Sequence, residues 1–205
     1  KETIGFDKNP FNWLFRKKVK HVIADGGRSL HEIERNNELV KDFTGNLVAK
    51  PRLYPSAADE AVADQYAKAP MITISPASVW FTKQYPPEKW VRFINEVPSH
   101  YSIMLLGAPG DAALAEEIKQ RVTHPSIHIL CGKLSFLQSA ALMKKAVMNY
   151  VNDSAPMHFA SAVNAPVTAV YCSTLPSFGF GPLSDKSFIV EKDEPLYCRP
   201  CGLHG

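Results

Sequence analysis

Val147-Met148-Asn149-Tyr150-Val151 leads through Asn152-Asp153-Ser154-Ala155 into Pro156-Met157-His158-Phe159-Ala160-Ser161-Ala162-Val163, and Val167-Thr168-Ala169-Val170-Tyr171 follows. The two outer runs are apolar or β-branched almost throughout and do not alternate, as in strands buried on both faces of a parallel sheet. The middle run opens with Pro156, which an initial helical turn tolerates, so it reads as a helix. One strand, one helix and a second strand make a βαβ unit. Working outward, residues 71–75, 102–107 and 127–131 read as three more buried strands. Between them, Pro86-Pro87-Glu88-Lys89-Trp90 opens a helix with Trp90, Phe93 and Ile94 at helical spacing, and residues 111–121 place Leu114 and Ile118 four apart. Residues 135–146 form the next helix, with Ser135 as its N-cap. Strands and helices alternating with short loops predict a doubly wound parallel sheet over residues 70–205.

Residues 1–50 differ. Residues 2–6 and 19–25 read as strands, and residues 29–43 as a helix in which Ser29 and Glu32 make a capping box. So short a segment buries too little surface to close a core of its own, and it reads as the trailing part of a first domain. Residues 51–69, with Pro51 and Pro55 and followed by Pro70, read as a linker that contains a short helix over 59–66. The chain opens Lys1-Glu2-Thr3 without a Met and without the segments of a signal peptide, which suits a piece of a longer protein.

Composition narrows the class. The 205 residues are 45% apolar and 21% charged, as in a folded protein. No apolar run reaches the roughly 18 residues that span a bilayer. Four cysteines, Cys131, Cys172, Cys198 and Cys201, are too few for a disulfide scaffold and suit a reducing compartment, hence the cytoplasm. The net charge of +3 does not argue for nucleic acid. Arg16, Lys17, Lys18, Lys20 and His21 nevertheless form a basic cluster, read either as a solvated face or as a contact with an anionic membrane surface, where each basic residue is worth about 1 kcal/mol.

In open parallel sheets, ligands sit beyond the carboxyl ends of the strands, so the strand-to-helix loops are where chemistry is sought. The first, after residue 75, offers Ser78, Thr82 and Lys83, the lysine a point charge suited to a diphosphate. The second, Gly107-Ala108-Pro109-Gly110-Asp111, lets a ligand approach the backbone, with Asp111 either a ribose acceptor or a helix cap. The third, Gly132-Lys133-Leu134-Ser135, is either a base contact or a plain turn. The fourth is Asn152-Asp153-Ser154-Ala155-Pro156-Met157-His158, where free N–H groups and a positive helix end converge as for an anion. Asp153 alternatively reads as an N-cap, and His158 as a core histidine. Cys198-Arg199-Pro200-Cys201 has metal-ligand or redox spacing, but only His204 lies near as a further ligand. GxGxxG, P-loop, HExxH and GxSxG motifs are absent.

Taken in order, Ile72-Thr73-Ile74-Ser75-Pro76, Phe81-Thr82-Lys83, Pro87-Glu88-Lys89-Trp90, Gly107-Ala108-Pro109-Gly110-Asp111, Gly132-Lys133-Leu134-Ser135 and Asn152 to His158 resemble glycosyltransferase family 9. These are the lipopolysaccharide heptosyltransferases that use ADP-heptose. The resemblance covers residues 70–201, and residues 1–45, ending in His31-Glu32-Ile33-Glu34-Arg35, are similar to the later part of the family's N-terminal domain. It implies an α/β chain of GT-B type: a Rossmann-like C-terminal domain over 70–205 that binds the nucleotide sugar, and part of a second, N-terminal Rossmann-like domain over 1–50. It implies inverting, metal-independent transfer from an ADP-sugar, the donor being a substrate and no cofactor being needed, to a phosphorylated lipid-linked saccharide at the inner face of the membrane. By position, Ser78 and Lys83 match contacts to diphosphate and sugar, with Lys83 catalytic; Asp111 matches the ribose contact and Leu134 the residue beside adenine. Asp153 matches a sugar contact, and Ser154, Ala155 and His158 match the phosphate-binding turn. Ala155 stands where the family usually has glycine and Ala108 where many members have a second one, which makes the backbone approach to the phosphates less close. The glycine-rich loop that carries the family's catalytic Asp is not in these residues. Two other classes remain open: a nucleotide-binding module without transferase activity, and a CxxC metal-binding interaction protein.

Overall fold

The computed structural model describes residues 2–202. The chain forms two compact units, Lys1–Lys50 with Leu175–Gly181, and Pro51–Thr174 with Pro182–Gly205.

In the first unit, β1 (Ile4–Phe6) pairs in parallel with β2 (Lys17–Val19), Ile4 opposite Lys17. β3 (Ala24–Asp25) and β4 (Arg28–Ser29) form an antiparallel hairpin. Its two turn residues, Gly26 and Gly27, have φ of 55° and 81°, the left-handed pair that a tight hairpin requires. The expected strand over 19–25 is therefore split between β2 and β3. α1 (Glu32–Thr44) starts later than expected because Ser29 is committed to the hairpin. The capping box has moved two residues along: His31 Nδ1 accepts from Ile33 N at 3.2 Å, and Glu34 Oε2 accepts from His31 N at 2.7 Å.

In the second unit, α2 (Ala57–Tyr66) begins at Ser56, which makes a capping box with Asp59. Residues 51–69, read from their prolines as a linker, thus hold a helix built into this unit; Ala63 is fully buried, and Lys145 pairs with Glu60 at 2.9 Å and Asp64 at 3.0 Å. There follow β5 (Met71–Ser75), α3 (Pro87–Glu96), β6 (Ser102–Leu105), α4 (Ala112–Arg121), β7 (Ile127–Ile129), α5 (Phe136–Lys145), β8 (Met148–Asn152), α6 (Ala155–Ala162), β9 (Val167–Val170) and β10 (Ser187–Val190). The six strands are parallel, in the order β10-β9-β8-β5-β6-β7. Counted from β5, this is the 3-2-1-4-5-6 order of a dinucleotide-binding sheet, whose direction of winding reverses between β5 and β8. β10 was not foreseen, because its short run at a largely exposed sheet edge follows an irregular stretch.

Successive residues of a strand face opposite sides, and β5 divides accordingly. Met71 packs with Met104, Leu142, Val151 and Met157, a core shared by α2, α5 and α6, whereas Ile72 and Ile74 pack with Trp90, Ile94, Leu105 and Ile118 from α3, β6 and α4. One polar residue is set into this interior. Asn149 is fully buried; its Oδ1 accepts from Thr73 Oγ1 at 2.5 Å, and its Nδ2 donates to the carbonyls of Met143 at 2.9 Å and Pro166 at 2.8 Å. It joins the end of α5 to the entry of β9. Asn149→Ala would take the acceptor from the buried Thr73 hydroxyl and one of two donors from each carbonyl, which Ala146 N and the residue's own N–H still reach, and the expected loss is about 2 kcal/mol of unfolding free energy in urea denaturation. Arg121→Ala, at an exposed ion pair with Glu117, serves as the control and costs about 0.5 kcal/mol or less.

Candidate functional site

The site lies within the second unit, where the sheet's winding reverses. β5 and β8 run side by side with Ser75 opposite Val151, and the loops that follow them must diverge. Asn152, the last residue of β8, spans the gap. Its fully buried amide donates from Nδ2 to the carbonyls of Pro76 at 2.8 Å and Ala77 at 3.3 Å, and its Oδ1 accepts from Tyr85 N at 3.0 Å. Both ends of the loop after β5 are therefore fastened to β8. Inside the loop, Gln84 Nε2 donates to the Ser78 carbonyl at 2.7 Å, and a short 3-10 turn over Phe81–Lys83 presents Lys83.

Lys83 Nζ lies 2.8 Å from Asp153 Oδ2, with only 16% and 9% of the two side chains exposed. The same carboxylate oxygen accepts from Thr174 Oγ1 at 2.6 Å. Asp153 is thus a partner of the lysine and not the N-cap; Ser154 is the N-cap of α6, in extended backbone, and its hydroxyl does not cap the helix. Ala155 is exposed at the first helical position and Pro156 follows, while His158 sits partly buried in the same helix. In the first turn of α6, Pro156 has no N–H and Met157 N donates to the Ser154 carbonyl at 3.1 Å, so the turn offers the Ala155 N–H, two residues after Asp153.

Two further loops stand at the carboxyl ends of β6 and β7. Asp111 occupies the N-cap position of α4, but its side chain makes no bond to that helix; its Oδ2 accepts from Ala108 N at 2.7 Å and closes the turn before it. A Cβ on Gly107 would come within 2.8 Å of Asp111 Oδ2 and 3.1 Å of Cys131 Sγ. A Cβ on Gly132, where φ is +71°, would lie 2.9 Å from the Pro109 backbone. The loops are pressed together at these two glycines, with Gly132 N donating to the Gly107 carbonyl at 2.9 Å. Leu134 is partly buried against the core, and Ser135 caps α5 in a box with Gln138. Burial, with a smaller contribution from Asp111, pushes the Cys131 thiol up to about 11. Burial also raises the Tyr171 hydroxyl, and Asp153 and Glu191 add to the shift.

Of the expected site residues, Lys83 and Asp153 meet directly. Ser78 and Thr82 share the Lys83 loop, the first partly buried and the second exposed, and Ser154, Ala155 and His158 open α6. Asp111 and Leu134 occupy the neighbouring strand-to-helix loops. Three residues escaped sequence reasoning. Asn152 lay inside the quoted motif, its position at a strand end beside a turn being the available signal. Thr174 belongs to a stretch without periodicity. Arg199 was overshadowed by its flanking cysteines, yet its Nη2 donates to the Thr174 carbonyl at 2.8 Å and to Glu191 Oε2 at 2.6 Å. Cys198 and Cys201 are exposed, with Cys201 Sγ donating to the Cys198 carbonyl at 2.9 Å. Among the described residues no three His, Cys, Asp or Glu side chains are grouped to hold a metal ion, and His204 lies outside them. The basic cluster belongs to the first unit: Arg16, Lys18 and Lys20 are exposed, Lys17 pairs with Asp42, and His21 Nε2 lies 3.0 Å from Lys8 Nζ. Among the described residues no helix is long and apolar enough to cross a membrane.

The model of glycosyltransferase family 9 (heptosyltransferase) matches residues 1–202. Lipopolysaccharide heptosyltransferase 3 of Escherichia coli is 30% identical over 170 residues, which are 78% of this chain and 49% of that protein. The structure of E. coli ADP-heptose lps heptosyltransferase II superposes with a TM-score of 0.75 at 21% identity, over 92% of this chain and 61% of that one. The structure titled E. coli heptosyltransferase WaaC with ADP gives 0.65 at 20% identity, over 86% and 53%. The expected α/β fold is the fold these structures share, and the chain spans about half the length of the curated relative, 49% of it.

The burial of the thiols has a direct chemical outcome. Iodoacetamide at pH 7 is expected to modify Cys198 and Cys201 within minutes, while Cys131, 6% exposed and with its thiol pushed up to about 11, reacts only on unfolding. Peptide mass mapping with and without urea reads this directly.

Proposed function

The chain belongs to glycosyltransferase family 9, and from that membership we propose that it is the donor-binding part of an enzyme that transfers a heptose from an ADP-sugar to a lipopolysaccharide core acceptor. The observation that carries the proposal is the meeting of Lys83 with Asp153 at the reversal point of the sheet, where open α/β sheets bind nucleotides. The relative described with ADP supports the nucleotide.

In this reading the diphosphate lies at the start of α6, held by the Ala155 N–H, by the positive end of the helix and by the Lys83 ammonium. Ser78 and Thr82 supply hydroxyls from the same loop as Lys83, Asp111 accepts from the ribose, and Leu134 packs beside the base. Asp153 holds Lys83 until the donor arrives and contacts the sugar through its carboxylate. An acceptor hydroxyl attacks the anomeric carbon from the opposite face, its proton passes to a carboxylate, and the glycosidic bond to the diphosphate breaks with inversion. Charge developing on the leaving ADP is met by Lys83 and the helix end, so the reaction runs without a metal. The acceptor is a phosphorylated, lipid-linked saccharide at the cytoplasmic face of the membrane. The exposed Arg16, Lys18 and Lys20 face the anionic surface that carries it, while Lys17 is engaged with Asp42.

In the complete enzyme, Lys83→Ala is expected to lower turnover about 100- to 1000-fold, the cost of losing one preorganised charged donor, with EDTA leaving the wild-type rate unchanged. Near-normal turnover of the variant, measured by ADP release, would remove Lys83 from the mechanism. Calorimetric titration of the chain with ADP, and with UDP and GDP as controls, checks the donor site separately. ADP is expected to bind preferentially, and both Lys83→Ala and Asp111→Ala to weaken it.

A further inference from the structure

The surroundings of Asp153 are more ordered than an ion pair requires. Lysine carries its charge on a flexible four-carbon stem, so the direction of its ammonium is set by whatever holds it. Here that is Asp153 Oδ2, which at the same time receives the Thr174 hydroxyl. Asp153 is 8% exposed and Thr174 2%, so water does not compete for either group. Thr174 is in turn fixed through its backbone: its carbonyl accepts from Arg199 Nη2, and the preceding carbonyl, of Ser173, accepts from Cys201 N at 3.0 Å. Arg199 has 9% of its side chain exposed and is itself held by Glu191 just beyond β10. A single line of bonds runs from the C-terminal segment to the lysine: Glu191, Arg199, Thr174, Asp153, Lys83.

We infer that Thr174 and Arg199 are positioning residues of the donor site. Thr174 fixes the carboxylate that orients the Lys83 ammonium toward the donor diphosphate, and Arg199 fixes Thr174. This rests on the reading of Lys83 as the group that meets the donor phosphates. When an anionic diphosphate draws the ammonium away from Asp153, the Thr174 hydroxyl still satisfies the carboxylate oxygen that Lys83 releases, which lowers the cost of the exchange. The Cys198-Arg199-Pro200-Cys201 motif then contributes to the site through its arginine and not its thiols.

The test is calorimetric titration of the chain with ADP and with AMP, which lacks the second phosphate. Thr174→Val is expected to weaken ADP about tenfold, the loss of one hydrogen bond to a charged group, and to leave AMP unchanged. Thr174→Ser restores ADP binding, and Thr174→Val causes no further loss in a Lys83→Ala background. Wild-type ADP affinity in Thr174→Val, with Lys83→Ala weakened, overturns the positioning role and leaves the donor reading standing. An equal loss for ADP and AMP, or an additive loss in the double variant, overturns it in favour of a purely structural role. Absence of ADP binding by the folded wild-type chain overturns both readings. Should Thr174→Val melt below the assay temperature, Arg199→Met carries the test, with the same selective loss of ADP affinity expected and an unchanged affinity overturning the inference.

Discussion

The carboxyl end of the sheet depends on one buried amide. Asn152 sits where β5 and β8 part, and an amide taken out of water there must find partners for both of its ends or cost several kcal/mol. It finds them in the backbone of the loop after β5, at Pro76 and Ala77 on one side and Tyr85 on the other. A long loop is thereby closed by three bonds from a single side chain. Everything between those bonds, including Ser78, Thr82 and the turn that carries Lys83, is placed relative to β8 rather than left to the loop's own preferences. The next residue of the chain is Asp153, so the strand that fastens the loop also delivers the carboxylate that meets the lysine.

That meeting has an energetic logic. Two charges with 16% and 9% of their side chains exposed have lost much of their hydration, and neither is tolerated there alone. Paired, they keep a cation inside the site at little net cost, and in the proposed donor reading that cation is shared with the arriving diphosphate. The pair is thus a store of charge more than a source of stability, since a buried ion pair contributes little beyond what apolar packing of the same volume would.

Much of this was legible in the sequence because parallel strands covered on both faces are continuous apolar runs. Residues 71–75 stand out for that reason, and β5 has those same limits. The strand-to-helix loops follow once the alternation is seen, so the residues they carry could be named. What stayed hidden depended on tertiary pairing. β10 has mainly exposed residues and is a strand only because β9 offers it an edge, with Ser187 opposite Val167. Ser29 has the spacing of a cap, yet the hairpin closed by Gly26 and Gly27 claims it, and the box moves to His31 and Glu34. Arg199 and Thr174 meet across 25 residues through a backbone carbonyl, a contact with no local pattern to betray it.

The same geometry bears on Ala108 and Ala155, which the family resemblance sets at glycine positions. Ala108 has φ of −70° and ψ of 168°, ordinary extended backbone open to any residue, and Ala155 begins a helix, where alanine is favoured. Neither position needs glycine for its conformation. Gly107 and Gly132 differ: a Cβ at the first would collide with Asp111, and the second has a left-handed φ and lies against Pro109. The form of the loops therefore rests on Gly107 and Gly132 and not on positions 108 and 155. An alanine methyl at the exposed start of α6 leaves the loop's form intact, and in the proposed donor reading it limits how near a phosphate comes to the Ala155 N–H and leaves more of the holding to the Lys83 ammonium.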